Sequence, residues 1–137
     1  MTVTLIDTGP LVAYLSQRDE ANPWTVKLWS SLPHPLLTCE PVLTEACFLL
    51  FRNGGPPESV LKLLQLGVLK IGLSVEQEAS ALESLMHRYA DTPMSLADAC
   101  LVRMAELHRD CRVLTIDRDF TRYRRHGRNV IPLLAPW

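Results

Sequence analysis

Asp7 closes the apolar run Val3–Ile6 and stands immediately before Thr8-Gly9-Pro10. Asp117 closes a second apolar run, Val113-Leu114-Thr115-Ile116, and Asp119 follows it by two residues. Between them lie Glu45, flanked at i−4, i−3, i+3 and i+4 by Pro41, Val42, Phe48 and Leu49, and Asp98 in Ser95-Leu96-Ala97-Asp98. Those apolar neighbours put Glu45 in or beside a core-facing helical stripe. An ionised carboxylate left unpaired there costs several kcal/mol, so it needs a cation, hydrogen bonds or a raised pKa. A set of such acids suits a hard cation. Magnesium and manganese accept carboxylate oxygens and retained waters, whereas zinc favours histidine and cysteine. The chemistry that uses such a cluster is phosphoryl transfer, in which one or two ions activate water and offset charge on the phosphate and leaving oxygen.

Each acid also has a plainer explanation. Asp7 suits a helix cap or turn before Gly-Pro, and Asp98 suits the third position of a helix capped by Ser95. Glu45 can sit at the edge of its stripe and reach water, while Asp119 can cap a short helix. Thr8 and Thr115 are placed to orient a carboxylate or simply to serve a turn and a strand. The histidines (His34, His87, His108, His126) are scattered without metal-ligand spacing. The cysteines (Cys39, Cys47, Cys100, Cys111) contain no Cys-x-x-Cys pair and read as reduced, mostly buried thiols. No glycine-rich phosphate loop is present, which argues against an ATPase or a dinucleotide enzyme.

The elements that must carry these acids alternate between short apolar strands and helices. Strands are expected at Val3–Ile6, 34–38, 68–71, 112–116 and 129–133. Helices are expected from Pro10, from Asn22-Pro23, over 41–51, after Pro56-Pro57, behind a capping box at Ser74, over 95–109, and briefly at 120–124. Such alternation gives a parallel sheet covered on both faces, with ligands beyond the carboxyl ends of its strands. Asp7 and Asp117 would then share one rim by position alone. With no linker or repeat, residues 1–137 read as a single α/β domain.

At 137 residues the chain can bury a substantial core. Its start lacks a signal-peptide pattern and no apolar run spans a bilayer, so a cytoplasmic location without membrane attachment is expected. Fourteen basic against fifteen acidic residues give a net charge of −1, which excludes binding nucleic acid by bulk charge. A local exception is Arg118, Arg122, Arg124, Arg125 and Arg128 against Asp119, either a phosphate-binding surface or the solvated face of a final helix. Leucine-rich helices at 41–51 and 57–66 carry more apolar surface than a short sheet needs. The residues alone leave three readings open: a metal-dependent nuclease, a metal-dependent phosphatase for small esters, and an RNA-binding scaffold whose acids only hold the fold.

Four fragments in order, LIDTGPLVAYL with Asp7, EPVLTEACFLL with Glu45, SLADACLVRMAE with Asp98 and VLTIDRDF with Asp117 and Asp119, span nearly the whole chain. Together they resemble the PIN-domain family, especially the single-domain, VapC-like ribonuclease toxins of type II toxin–antitoxin systems. The resemblance implies a three-layer α/β/α fold with a parallel sheet of about five strands in the order 3-2-1-4-5. It implies an endoribonuclease using Mg²⁺, with Mn²⁺ an alternative, held by Asp7, Glu45, Asp98 and Asp117. Asp119 would be a further ligand or a water-orienting acid. It also implies structured RNA such as tRNA or rRNA as substrate, a homodimer, and silencing by a cognate antitoxin, or else housekeeping RNA processing.

Overall fold

The computed structural model describes residues 1–137. Strand β1 (Val3–Ile6) leads into helix α1 (Thr8–Leu15) and helix α2 (Asn22–Trp29). Strand β2 (Leu36–Thr38) follows, then α3 (Glu40–Arg52), α4 (Ser59–Gln65) and β3 (Leu69–Ile71). Helices α5 (Ala79–Arg88) and α6 (Leu96–Leu107) precede β4 (Cys111–Leu114) and a 3₁₀ turn, Arg118–Thr121. The chain closes with β5 (Arg124–Arg125), β6 (Asn129–Val130) and β7 (Leu133–Leu134).

Five strands form a parallel sheet in the order β3-β2-β1-β4-β7, and helices complete a three-layer α/β/α architecture. The expected order 3-2-1-4-5 is therefore present. β1 and β4 pair from Val3↔Cys111 to Ile6↔Leu114, so the chain changes direction across the sheet between these two neighbours. Such a switch point opens a crevice at the carboxyl ends of the strands. One continuous cluster of 31 buried residues fills the interior, including Leu5, Ile6, Val113 and Leu114 from the central strands. Helix α6 lays Ala97, Ala99, Cys100, Leu101, Val102, Met104 and Ala105 into it, and its small residues let the helix approach closely.

Gly9 shows how tightly the first turn of α1 meets the end of the β4 segment. A Cβ there would lie 2.6 Å from Ile116 Cγ1, well inside contact distance. The glycine therefore lets helix and strand end approach closely beside Asp7. All four cysteines are free thiols; Cys39, Cys100 and Cys111 are buried. No helix is long and apolar enough to cross a membrane.

The carboxy-terminal quarter departs from the expected elements. Residues 129–133 do not make the fifth strand as one unit. Asn129–Val130 pairs antiparallel with Arg124–Arg125 in a separate ribbon, and Leu133–Leu134 supplies the sheet strand. Pro132 lies between the two and has no N–H to donate, although its carbonyl accepts from Val113 N at 2.9 Å. The short helix expected at 120–124 is the 3₁₀ turn at Arg118–Thr121, so the arginines are not the face of a final helix. Ser74 Oγ does accept from Gln77 N, but it closes a turn, and α5 begins only at Ala79.

Candidate functional site

Asp7 sits where sheet and helix meet. Its N–H donates to Leu114 O at 3.0 Å, continuing the ladder beyond Ile6. Its side chain already belongs to the helix: Oδ1 accepts from Thr8 N at 2.7 Å, so the capping role is real. Oδ2 accepts from Thr115 Oγ1 at 2.8 Å. That same hydroxyl accepts from Asp117 N at 2.9 Å. Thr115 is fully buried, and it ties the acid ending β1 to the backbone of the acid that follows β4. Asp117 Oδ1 accepts from Asp119 N at 2.9 Å and caps the 3₁₀ turn, while Asp119 faces the exposed Arg122 at 4.0 Å.

Asp98 completes a reciprocal capping box. Its Oδ2 accepts from Ser95 N at 3.0 Å and its own N–H donates to Ser95 Oγ at 3.1 Å. The hydroxyl of Tyr123, which also bonds the Pro93 carbonyl, stands 3.3 Å from the same Oδ2. Glu45 is exposed rather than set in the core, as is Phe48 one turn on, so the reading of Glu45 as an acid at the stripe edge holds. Capping and site placement are compatible here. The caps at Asp98 and Asp117 use one carboxylate oxygen and leave the other without a protein donor, whereas both oxygens of Asp7 accept hydrogen bonds.

All five acids line one cleft of about 440 Å³ at the carboxyl edge of the sheet, together with Thr8, Gly9, Leu49, Pro93, Met94, Ser95 and Ile116. Burial raises the Asp7 pKa to about 7. The Thr115 and Thr8 hydrogen bonds oppose that rise, and the charges of Asp98 and Asp117 add to it. Glu45 is shifted up by partial desolvation and by Asp98, against a hydrogen bond from Thr8. Asp98 is shifted up by burial and by Asp117, against its bonds from Ser95 and Tyr123. The acids thus feel one another across the cleft.

The carboxylates are nonetheless spread around the walls. No three acidic, histidine or cysteine side chains are grouped tightly enough to hold an ion as they stand. The donor chemistry still fits a hard cation. Every candidate ligand is a carboxylate, the donor that such ions prefer.

Tyr123 escaped the sequence reading. It is fully buried with its ring edge-on to Phe120 and Tyr89, and only the fold brings its hydroxyl to Asp98. The arginines of residues 118–128 do different things. Arg124 donates to Thr121 O and Tyr123 O. Arg125 donates to Ala105 O near the end of α6 and to Arg109 O, the use a helix C-terminus makes of a cation. Arg125 thus ties the ribbon to the body of the fold, while the Arg124 guanidinium bonds only the turn that precedes it. Arg118, Arg122 and Arg128 remain exposed.

The raised Asp7 pKa gives a stability test with a definite sign. A carboxyl that binds its proton more tightly when folded is destabilising once ionised. Its penalty is absent below the unfolded value near 3.8, grows as pH rises towards about 7, and is level above that. In metal-free buffer, Asp7→Asn should match or fall below wild type near pH 4 and exceed it at pH 8. The relative gain should be on the order of 4 kcal/mol at most. Chemical unfolding across pH checks this, and parallel curves for the two proteins would remove the buried-acid explanation.

The sequence matches the PIN domain family over residues 4–126. A search among curated proteins finds no match. Among solved structures, VapC20 of Mycobacterium tuberculosis, described as a toxin cleaving the sarcin–ricin loop, aligns with a TM-score of 0.71. It is 22% identical, over 87% of this chain and 93% of that one. DNA-bound VapBC from Salmonella typhimurium aligns with a TM-score of 0.56 at 17% identity, over 98% of both chains. At these identities the likeness is one of fold. The family match covers most of the chain, and the chain belongs to the PIN domain family.

Proposed function

We propose that this chain is a Mg²⁺- or Mn²⁺-dependent endoribonuclease. The observation that carries the reading is the convergence of Asp7, Glu45, Asp98, Asp117 and Asp119, from four separate segments, on one cleft at the sheet's switch point. Asp7, Glu45, Asp98 and Asp117 would hold the ion or ions, and Asp119 would add a ligand or orient water. When bound, the metal supplies positive charge for the phosphate and lowers the pKa of the attacking water. Thr115 holds Asp7 and the Asp117 backbone in register. The Ser95 box and Tyr123 hold Asp98 at the cleft by one oxygen, which leaves the other for the ion. A carboxylate of the set accepts the proton as water attacks in line with the leaving oxygen. The net charge of −1 assigns phosphate attraction to the site and its exposed rim arginines, not to the molecule as a whole.

Fold likeness to VapC20 and to the VapBC complex supports a toxin role, with structured RNA such as tRNA or rRNA as substrate and a cognate antitoxin covering the cleft. The product of an adjacent reading frame would then copurify with this chain and suppress its cleavage. A housekeeping RNA-processing enzyme would have no such partner.

Purified protein should cleave RNA with Mg²⁺ or Mn²⁺ and stop in excess EDTA. Asp7→Asn and Asp98→Asn should each lower turnover by roughly 100-fold or more while remaining folded, since each removes an anionic ligand of the ion that offsets the transition-state charge. Equal cleavage in EDTA, or full turnover in both variants, would end the metal-nuclease reading.

Assembly is the second expectation. Phe48 and Phe51 on α3 are 60% and 70% exposed, and Leu61 and Leu66, on and just after α4, are 48% and 64% exposed. Large apolar side chains left open on neighbouring helices favour a symmetric partner. Sedimentation at micromolar concentration should show about twice the 15.5 kDa chain mass. Phe48→Glu with Phe51→Glu should return it to the single mass, whereas a single-chain species in wild type would rule the dimer out.

A further inference from the structure

Trp137 is exposed, and core packing does not account for it. β7 runs parallel to β4, and the ladder ends with Thr115 N donating to Leu134 O at 3.1 Å. Residues 135–137 therefore leave the sheet at the same carboxyl edge as residues 115–118. There the Arg118 guanidinium, next in sequence to Asp117, lies over the Trp137 ring with Cζ 4.5 Å from its centroid. The indole is 43% exposed and takes no part in the core cluster. Arg118 is exposed, and its side chain makes no ion pair or hydrogen bond. A cation–π contact thus holds the partly exposed Trp137 against Arg118, the residue that follows the cleft-lining Asp117.

We propose that Trp137, held by Arg118, is a stacking step for one nucleobase of the strand whose phosphate enters the acid cleft. The inference rests on the nuclease reading and adds a subsite to it. A chain with net charge −1 and five acids in its cleft draws little binding energy from bulk electrostatics. Stacking supplies affinity that these acids do not oppose, and it tolerates any base because every base has a π face. Arg118 stands within reach of the adjoining phosphate. A docking peptide would call for contiguous apolar area, whereas here a single ring is flanked by a cation. Trp137 accordingly sets where the strand lies, not which sequence it carries.

The test compares wild type, Trp137→Phe and Trp137→Ala with a short single-stranded oligoribonucleotide and an abasic ribose-phosphate chain of equal charge. Subtracting Trp137→Phe emission isolates this indole from Trp24 and Trp29. Base-bearing RNA should quench it, and the abasic chain should not. With Mg²⁺ present, Trp137→Ala should raise KM for the oligonucleotide by roughly 5- to 150-fold with kcat nearly unchanged, and Trp137→Phe should recover most of the loss. Unchanged emission, equal quenching by the abasic chain, or an unchanged KM in Trp137→Ala would overturn the proposal while leaving metal-dependent cleavage standing. If no RNA is cut at all, the nuclease reading fails separately, and quenching alone decides the stacking step. An indole that responds only to a protein partner also overturns it.

Discussion

The parallel pairing of β1 with β4 brings together two acids more than a hundred residues apart, and the rest of the site is assembled around that pair. Their four-residue register, from Val3↔Cys111 to Ile6↔Leu114, ends both strands at one level. The Thr115 hydroxyl then joins Asp7 Oδ2 to the Asp117 N–H. A slip of one residue would turn Thr115 to the other face of the sheet and leave Asp7 buried without that bond. The register is held by the fully buried Leu5, Ile6, Val113 and Leu114, so core packing is what gives the site its geometry.

This arrangement sets stability against chemistry. Asp7 is 6% exposed with two hydrogen bonds, yet burial outweighs them and lifts its pKa to about 7. Asp98 and Glu45 shift the same way, each partly through another acid. A fold selected only for stability would place apolar or paired groups here. The capping bonds at Asp7, Asp98 and Asp117 offset part of the cost. They also orient the carboxylates, so one set of contacts serves the helix ends and the cleft together.

How much of this was legible in the residues depends on how local each feature is. Asp7 and Asp117 could be read as rim acids because each directly terminates an apolar run. Ser95 and Asp98 could be read as a cap because capping is settled within one turn. Glu45 was harder, since apolar neighbours at helical spacing do not say which side of the helix meets the core; Phe48 and Phe51 turn out to face outward. A fifth strand at 129–133 is not what forms, because Pro132 separates Asn129–Val130, in the ribbon, from Leu133–Leu134, in the sheet. Nor could the arginine segment reveal that Arg125 reaches Ala105 O, or that Tyr123 reaches Asp98, since both contacts span 20 residues or more. Trp137 acquires meaning only from the register of β7, which composition does not encode.

Membership of Asp7 in a metal-holding acid set is what the whole arrangement turns on. It is tested most directly by titrating Mn²⁺ into the protein near pH 6.5 in buffers of different ionisation enthalpy, which counts protons released per ion bound. With its pKa raised to about 7, the Asp7 carboxyl is partly protonated at this pH, and binding should release its proton. Asp7→Asn should lose that release along with most of the affinity. Absence of Mn²⁺ binding to wild type, or identical affinity and proton release in Asp7→Asn, would contradict the account.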